Sequence, residues 1–81
     1  MSISKVQVTP DGFDGIGYFT CREDQAISFS VHYFGCEKGY GEGWFPAYDL
    51  SMNYRYKTRV EAEAKAKEFC DRKNLDHLVT A

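Results

Sequence analysis

His32 and Cys36 stand four residues apart, and Cys21 would face His32 if the strands carrying them paired as a hairpin. These are the first residues to weigh for chemistry. A zinc centre needs four ligands at recognisable spacing. Here no C-x-x-C pair occurs, Cys70 falls on a helix and His77 falls in the tail, so the fourth ligand is missing. A Cys–His nucleophile needs a thiolate held by a cation or a helix N-terminus, and Cys70 lies near the other helix end. The glycines at 35, 39, 41 and 43 lack the G-x-x-x-x-G-K pattern and a following helix to hold an anion, while Glu37 and Glu42 would repel phosphate. The expectation is a non-enzymatic protein with no catalytic residue, no metal site and no cofactor.

Two other groupings point to binding. Tyr54-Arg55-Tyr56-Lys57 interleaves aromatic with basic residues, as base-stacking platforms do. Strand alternation, however, puts both tyrosines on one face and both cations on the other. The second grouping is Tyr40, Trp44, Phe45 and Tyr48, interspersed with Glu37, Glu42 and Asp49. Exposed Trp and Tyr dominate protein–protein hot spots, each contributing about 2 kcal/mol or more. Surrounding carboxylates would steer a basic partner. These seven residues are the expected partner-binding set. The competing assignment is that the rings fold back to close the open end of a sheet, because so short a chain is poor in core.

Charge follows the same division. The net charge of −2 conceals three cations against seven carboxylates in residues 1–51, a balance of −4, and seven against five in residues 52–81, a balance of +2. The strand-rich part therefore disfavours direct nucleic-acid binding and suits a larger protein or nucleoprotein complex with a basic surface. No apolar run is long enough to span a bilayer, and MSISKVQV lacks the layout of a secretory leader. Cys21, Cys36 and Cys70 are odd in number and read as free thiols in a reducing compartment, so the cytosol is the expected location. Eighty-one residues make a single domain over 1–81, which buries only about 60–65% of its unfolded surface.

These residues must be held by a few elements. Val6 and Val8 alternate with Lys5 and Gln7 in a first strand, Ile3 to Thr9, expected at an edge. Pro10-Asp11-Gly12 and Asp14-Gly15 signal the reversal, and Gly15 to Cys21 forms a second strand. Arg22 to Gln25 is a polar connector. In Ala26 to Phe34, Ile27, Phe29, Val31 and Tyr33 alternate with Ser28, Ser30 and His32, the pattern of a sheet covered on one side. Gly35 to Leu50 shows no clear periodicity, so Trp44 to Tyr48 is either an irregular edge strand or a packed loop. Met52 to Lys57 is a further strand. Thr58 to Lys73 is the one helix: Thr58 and Glu61 fit a capping box, Ala62, Ala66, Phe69 and Cys70 share an apolar stripe, and Asn74 suggests the stop. Glu61–Lys65, Glu63–Lys67 and Glu68–Arg72 are spaced as ion pairs on its wet side. Asp76 to Ala81 adds a short strand or frays. With no βαβ unit, the expected fold is α+β: a three- or four-stranded antiparallel sheet with one C-terminal helix packed on one face.

YRYKTRVEAEAKAKEF, a strand running into a helix that opens on Thr-Arg-x-Glu-Ala, resembles the arm-type DNA-binding domains of phage integrases. That resemblance implies a small nucleic-acid-binding accessory domain using Tyr54, Arg55, Tyr56 and Lys57. In size, acidity and layout the whole chain resembles small phage proteins that block host defence, anti-CRISPR proteins among them. This second resemblance implies an inhibitor acting in the cytoplasm of a bacterial host. It would occupy the basic nucleic-acid path of an effector complex, with Glu37, Glu42, Asp49 and the neighbouring rings at the contact.

Overall fold

The computed structural model describes residues 2–73 and 79–80, with residues 2, 4, 79 and 80 described by backbone alone. Its first strand, β1 (Ser2–Phe13), has 12 residues and runs past the expected Ile3 to Thr9 at both ends. Val6 and Val8 are fully enclosed on one side of it. Along one flank β1 pairs antiparallel with β3 (Ser28–Glu37), from Ser2 opposite Cys36 to Asp11 opposite Ser28, with one irregularity between Ile3 and Lys5. Along the other it pairs with the three-residue β2 (Tyr18–Thr20). The strand expected at an edge is therefore interior.

Pro10 does not end β1, because ladder alternation turns its backbone away from β3, where the missing N–H breaks no bond of that ladder. Its carbonyl accepts from the Cys21 N–H at 3.1 Å. The reversal comes later than Pro10-Asp11-Gly12. Asp14 Oδ1 accepts from the N–H groups of Ile16 (2.9 Å) and Gly17 (3.0 Å), and Gly15 takes a φ of 91°. The expected second strand shortens to β2 because this turn consumes its start. The polar connector holds a single 3-10 turn at Glu23–Gln25.

The stretch from Gly35 to Leu50 is chiefly a hairpin rather than a loop. β3 continues to Glu37, the Tyr40 N–H donates to the Glu37 carbonyl (3.0 Å), and Gly39 and Gly41 supply positive φ values of 89° and 78°. β4 (Gly41–Pro46) then returns along β3 with Phe45 opposite Tyr33 and Gly43 opposite Gly35. It is an edge strand, begun three residues earlier than the irregular strand expected at Trp44. Glycine hid it, since Gly41 and Gly43 carry no side chain to show alternation. Beyond β4, the two-residue β5 (Arg55–Tyr56) takes over the same flank of β3. Val31 marks the handover: its carbonyl accepts from Ala47 (3.0 Å) and its N–H donates to Tyr54 (2.8 Å). A two-residue β6 (Val79–Thr80) pairs parallel with β1 at Gln7 and Val8. The sheet order is β2-β1-β3-β4.

Helix α1 (Arg59–Arg72) is capped by Thr58, whose Oγ1 accepts from the Glu61 N–H at 3.1 Å. Ala62, Ala66, Phe69 and Cys70 are its buried residues. They pack on Val6, Val8, Phe29, Val31, Tyr33 and Tyr56. Three small side chains let the helix lie close to β1 and β3, and Phe69 stacks on Tyr33 with ring centroids 5.5 Å apart. The fold is α+β, a four-stranded antiparallel sheet with one helix on one face. The ion pairs on α1 are Arg59–Glu63 (4.0 Å) and Lys65–Glu68 (3.3 Å) instead of the three expected. Arg59 also reaches Glu23 at 2.7 Å, and Arg72 turns away to donate to the Tyr48 carbonyl at 3.2 Å. The expected stop at Asn74 lies outside the described residues, as does the tail apart from the backbone of β6. Among the described residues no helix is long and apolar enough to cross a membrane.

Candidate functional site

Because α1 covers one face of the sheet, the side chains of opposite parity in each strand are left on the other. Lys5, Gln7, Thr9 and Asp11 of β1 share this open face with His32, Phe34 and Cys36 of β3 and with Glu42 and Trp44 of β4. Among the described residues no element lies over it. Tyr18 comes onto the same face from β2, and Tyr54 and Arg55 from the chain leading into β5.

The rings there meet edge to face. Phe34 and Trp44 are directly opposite in the ladder with centroids 5.4 Å apart, and the Lys5 ammonium sits 5.5 Å from both. Further along, His32 meets Tyr54 (5.3 Å) and Tyr54 meets Tyr48 (5.2 Å). The Arg55 guanidinium lies over Tyr18 (3.7 Å) and Tyr54 (4.7 Å), with its Nε 3.5 Å from Asp11 Oδ2. Asp11 is 5% exposed, so this carboxylate depends on Arg55 for its charge compensation. Neither Asp11 Oδ2 nor Arg55 Nε closes a hydrogen bond, so the pair is a Coulombic contact. Burial pushes the His32 imidazole below its ordinary pKa, the nearby Asp11 charge opposing and Arg55 assisting, which leaves the ring neutral at pH 7. Between these groups Gln7, Thr9, Asp11, Thr20, His32 and Trp44 line a shallow recess of about 300 Å³.

The seven residues expected to bind a partner do not form one cluster. Trp44, 43% exposed, and Glu42 stand on the open face. Phe45 points the other way, its ring 5.7 Å from Tyr33 at the border of the core. Tyr40 projects from the hairpin, 82% exposed, with only an edge contact to Phe45. Tyr48 is half-exposed beside Tyr54. Glu37 lies on the helix side and accepts from the Tyr33 hydroxyl, and together with burial this pushes Tyr33 up to about 12. Asp49 is occupied within a turn. It accepts from the Ser51 hydroxyl (2.6 Å), the N–H groups of Ser51 (2.8 Å) and Asn53 (3.1 Å), and the Tyr56 hydroxyl (3.1 Å). These bonds, the Ser51 hydroxyl first, lower the Asp49 carboxyl to about 2. The rings divide between the two sides: Phe45 packs at the border of the core, while Trp44, Tyr40 and Tyr48 stay outside.

Two further expectations change. Tyr54 and Tyr56 do not share a face: Tyr54 lies on the open side, whereas Tyr56 is buried on the helix side with its hydroxyl donating to Asp49 or to the Asn53 carbonyl. The cause is the turn at Asp49–Asn53, with Met52 at φ 64°, which shortens the strand to β5 and leaves Tyr54 outside the alternation. Cys21 does not face His32 either, because β1 runs between β2 and β3. Among the described residues no group of three or more His, Cys, Asp or Glu is placed to hold a metal, and no disulfide joins Cys21, Cys36 or Cys70.

Sequence reasoning missed Lys5, Tyr18, His32, Phe34 and Tyr54 as neighbours. Alternation run on through Glu37 would have put His32, Phe34 and Cys36 on one face, but nothing local places Tyr18 or Lys5 beside them. Comparison of the chain with protein-family models, curated proteins and solved structures finds no match.

Proposed function

We propose that this chain is a non-enzymatic binding protein that docks the open face of its sheet on a larger protein or nucleoprotein complex and acts by occupying that surface. The supporting observation is the row of half-exposed rings Trp44, Tyr48 and Tyr18 on a face that no described element covers. Such rings add large apolar contact at low entropy cost. The charge on the face favours a protein contact over a nucleic-acid backbone. Arg55 is already engaged with Asp11, which leaves Lys5 opposed by Glu42, too little net positive charge for counterion release to supply affinity. The resemblance in type to small phage inhibitors gives the reading its specific form, the blocking of a basic nucleic-acid path in a defence complex.

The test pairs Trp44→Ala/Tyr54→Ala with a control substitution at Val60, which is 79% exposed on α1. A bacterial protein retained by the immobilised wild type and the Val60→Ala control, but lost from the double variant while its fold persists, supports the reading. Equal retention by all three removes the open face from consideration. A second reading rests on the Arg55 guanidinium stacked between Tyr18 and Tyr54, an arrangement that also suits single-stranded bases. Binding of short DNA or RNA at low salt that falls steeply as salt rises would favour it. Absence of binding at low salt removes it.

A further inference from the structure

Ladder alternation fixes which way the backbone of β4 points. The Ala47 N–H donates to the Val31 carbonyl, so Val31, Tyr33 and Gly35 turn their polar groups toward β4, and Phe45 and Gly43 turn theirs back. The N–H and C=O groups of Glu42 and Trp44 therefore face outward along the edge, where no described residue meets them. Along its middle this edge carries a single charged guard, Glu42. It has no Lys, no bulge and no covering element, and Pro46 protects only its far end.

We infer that a second copy of this chain pairs with that edge, β4 against β4 in antiparallel fashion about a two-fold axis at Gly43, joining two sheets into one. This inference goes beyond the docking reading and does not depend on it. The register follows from the sequence of β4. Centred on Gly43, Glu42 of each copy lies opposite Trp44 of the other, and every outward N–H and C=O of those residues finds a partner. Centred instead on Trp44, Glu42 would face Pro46, which has no N–H to give to the Glu42 carbonyl.

Side chains fit the same register. Glu42 and Trp44 are on the open face, so each copy's Glu42 carboxylate is brought beside the other's indole, where the Lys5 ammonium already sits 5.5 Å from the ring. On the helix side Phe45 of each copy comes opposite Gly41 of the other, the pairing in which an aromatic ring covers an edge glycine. At the axis the two Gly43 residues form a non-hydrogen-bonded pair with Cα atoms about 4.5 Å apart.

The experiment combines sedimentation with cross-linking of the full chain. The wild type should shift with concentration from the 9.3 kDa monomer toward twice that mass. Glu42→Lys should weaken association about tenfold, two symmetric pairs at roughly 0.7 kcal/mol each, and Lys5→Glu/Glu42→Lys should restore it. A Cβ added at Gly43 meets nothing within 4 Å and its φ is ordinary, so Gly43→Cys leaves the monomer intact. In a Cys21→Ser/Cys36→Ser background, mild oxidation should join two copies through residue 43, the pair lying within reach of a disulfide. Gly17→Cys, equally unhindered, should not join. A wild type that stays monomeric up to about 1 mM overturns the proposal, as does cross-linking no faster at 43 than at 17. In either case the edge is left bare or kept for a strand of another protein.

Discussion

Replacing Phe69 with alanine removes the one large side chain that α1 contributes to the core, 5% exposed and stacked on Tyr33. Lost transfer energy and the cavity left among Tyr33, Ala66 and Cys70 together cost about 3–5 kcal/mol. A chain of 81 residues holds about 4–12 kcal/mol in total, at roughly 0.05–0.15 kcal/mol per residue. Phe69→Ala should therefore remove a large share of the domain's stability. Trp44 is the larger ring but stands 43% exposed, anchored by an edge contact to Phe34. Its loss should cost about 1–2 kcal/mol. A gap of about 2 kcal/mol corresponds to roughly 8–16 °C in melting temperature for a domain this small. Far-UV circular dichroism during heating and urea titration reads both variants without relying on the indole. If Trp44→Ala melts as low as Phe69→Ala, the indole closes the core and the open face described above does not exist.

Three further outcomes follow from the turns and buried phenols. Asp49 carries a carboxyl lowered to about 2 from an ordinary 3.8, so its contribution is complete above about pH 4 and is lost as pH falls toward 2. Asp49→Ala should flatten the acid limb of stability measured by urea titration, and an unchanged limb would refute the turn network. Tyr33 and Tyr56 are both pushed up to about 12, chiefly by burial, so the stability they confer is whole below about pH 10 and lost as pH rises through 12. Absorbance at alkaline pH should show two of the six phenols ionising last, with Tyr33→Phe and Tyr56→Phe each removing one late step. No late step in the wild type would contradict their burial. Gly39→Ala and Gly41→Ala, at positive φ, should each cost about 1 kcal/mol, whereas Gly43→Ala costs a few tenths at most. Equal losses at all three would mean that the hairpin is not closed as described.

Local pattern carried much of this fold. Thr58 with Glu61, the small stripe Ala62-Ala66-Phe69-Cys70, and the alternation from Phe29 to Tyr33 each depend on residues within a few positions of one another. The helix, its buried face and the one-sided sheet were therefore legible before any coordinates. The signals misread were those that a neighbour overrides. Pro10 and Gly12 look like a turn until β3 and β2 hold them in a ladder, and Gly41-Glu42-Gly43 looks like a loop until β3 pairs with it. The expected partner-binding residues were proposed from closeness in sequence, and adjacency in a strand separates faces, which is how Trp44 and Phe45 came to opposite sides.

From the sequence alone came the two faces of β1 around Val6 and Val8 and of β3 from Phe29 to Tyr33, because side-chain parity along a regular strand needs no partner to define it. Which face lies beneath the helix, which strands are neighbours, and hence that Lys5, Tyr18, Phe34, Trp44 and Arg55 share one surface, was decided only in three dimensions. Strand order is set by long-range pairing between segments 20 or more residues apart, such as Gln7 opposite His32. No local propensity records such a choice, because its energy is gained only once the whole sheet has closed around Val6, Val8 and Val31.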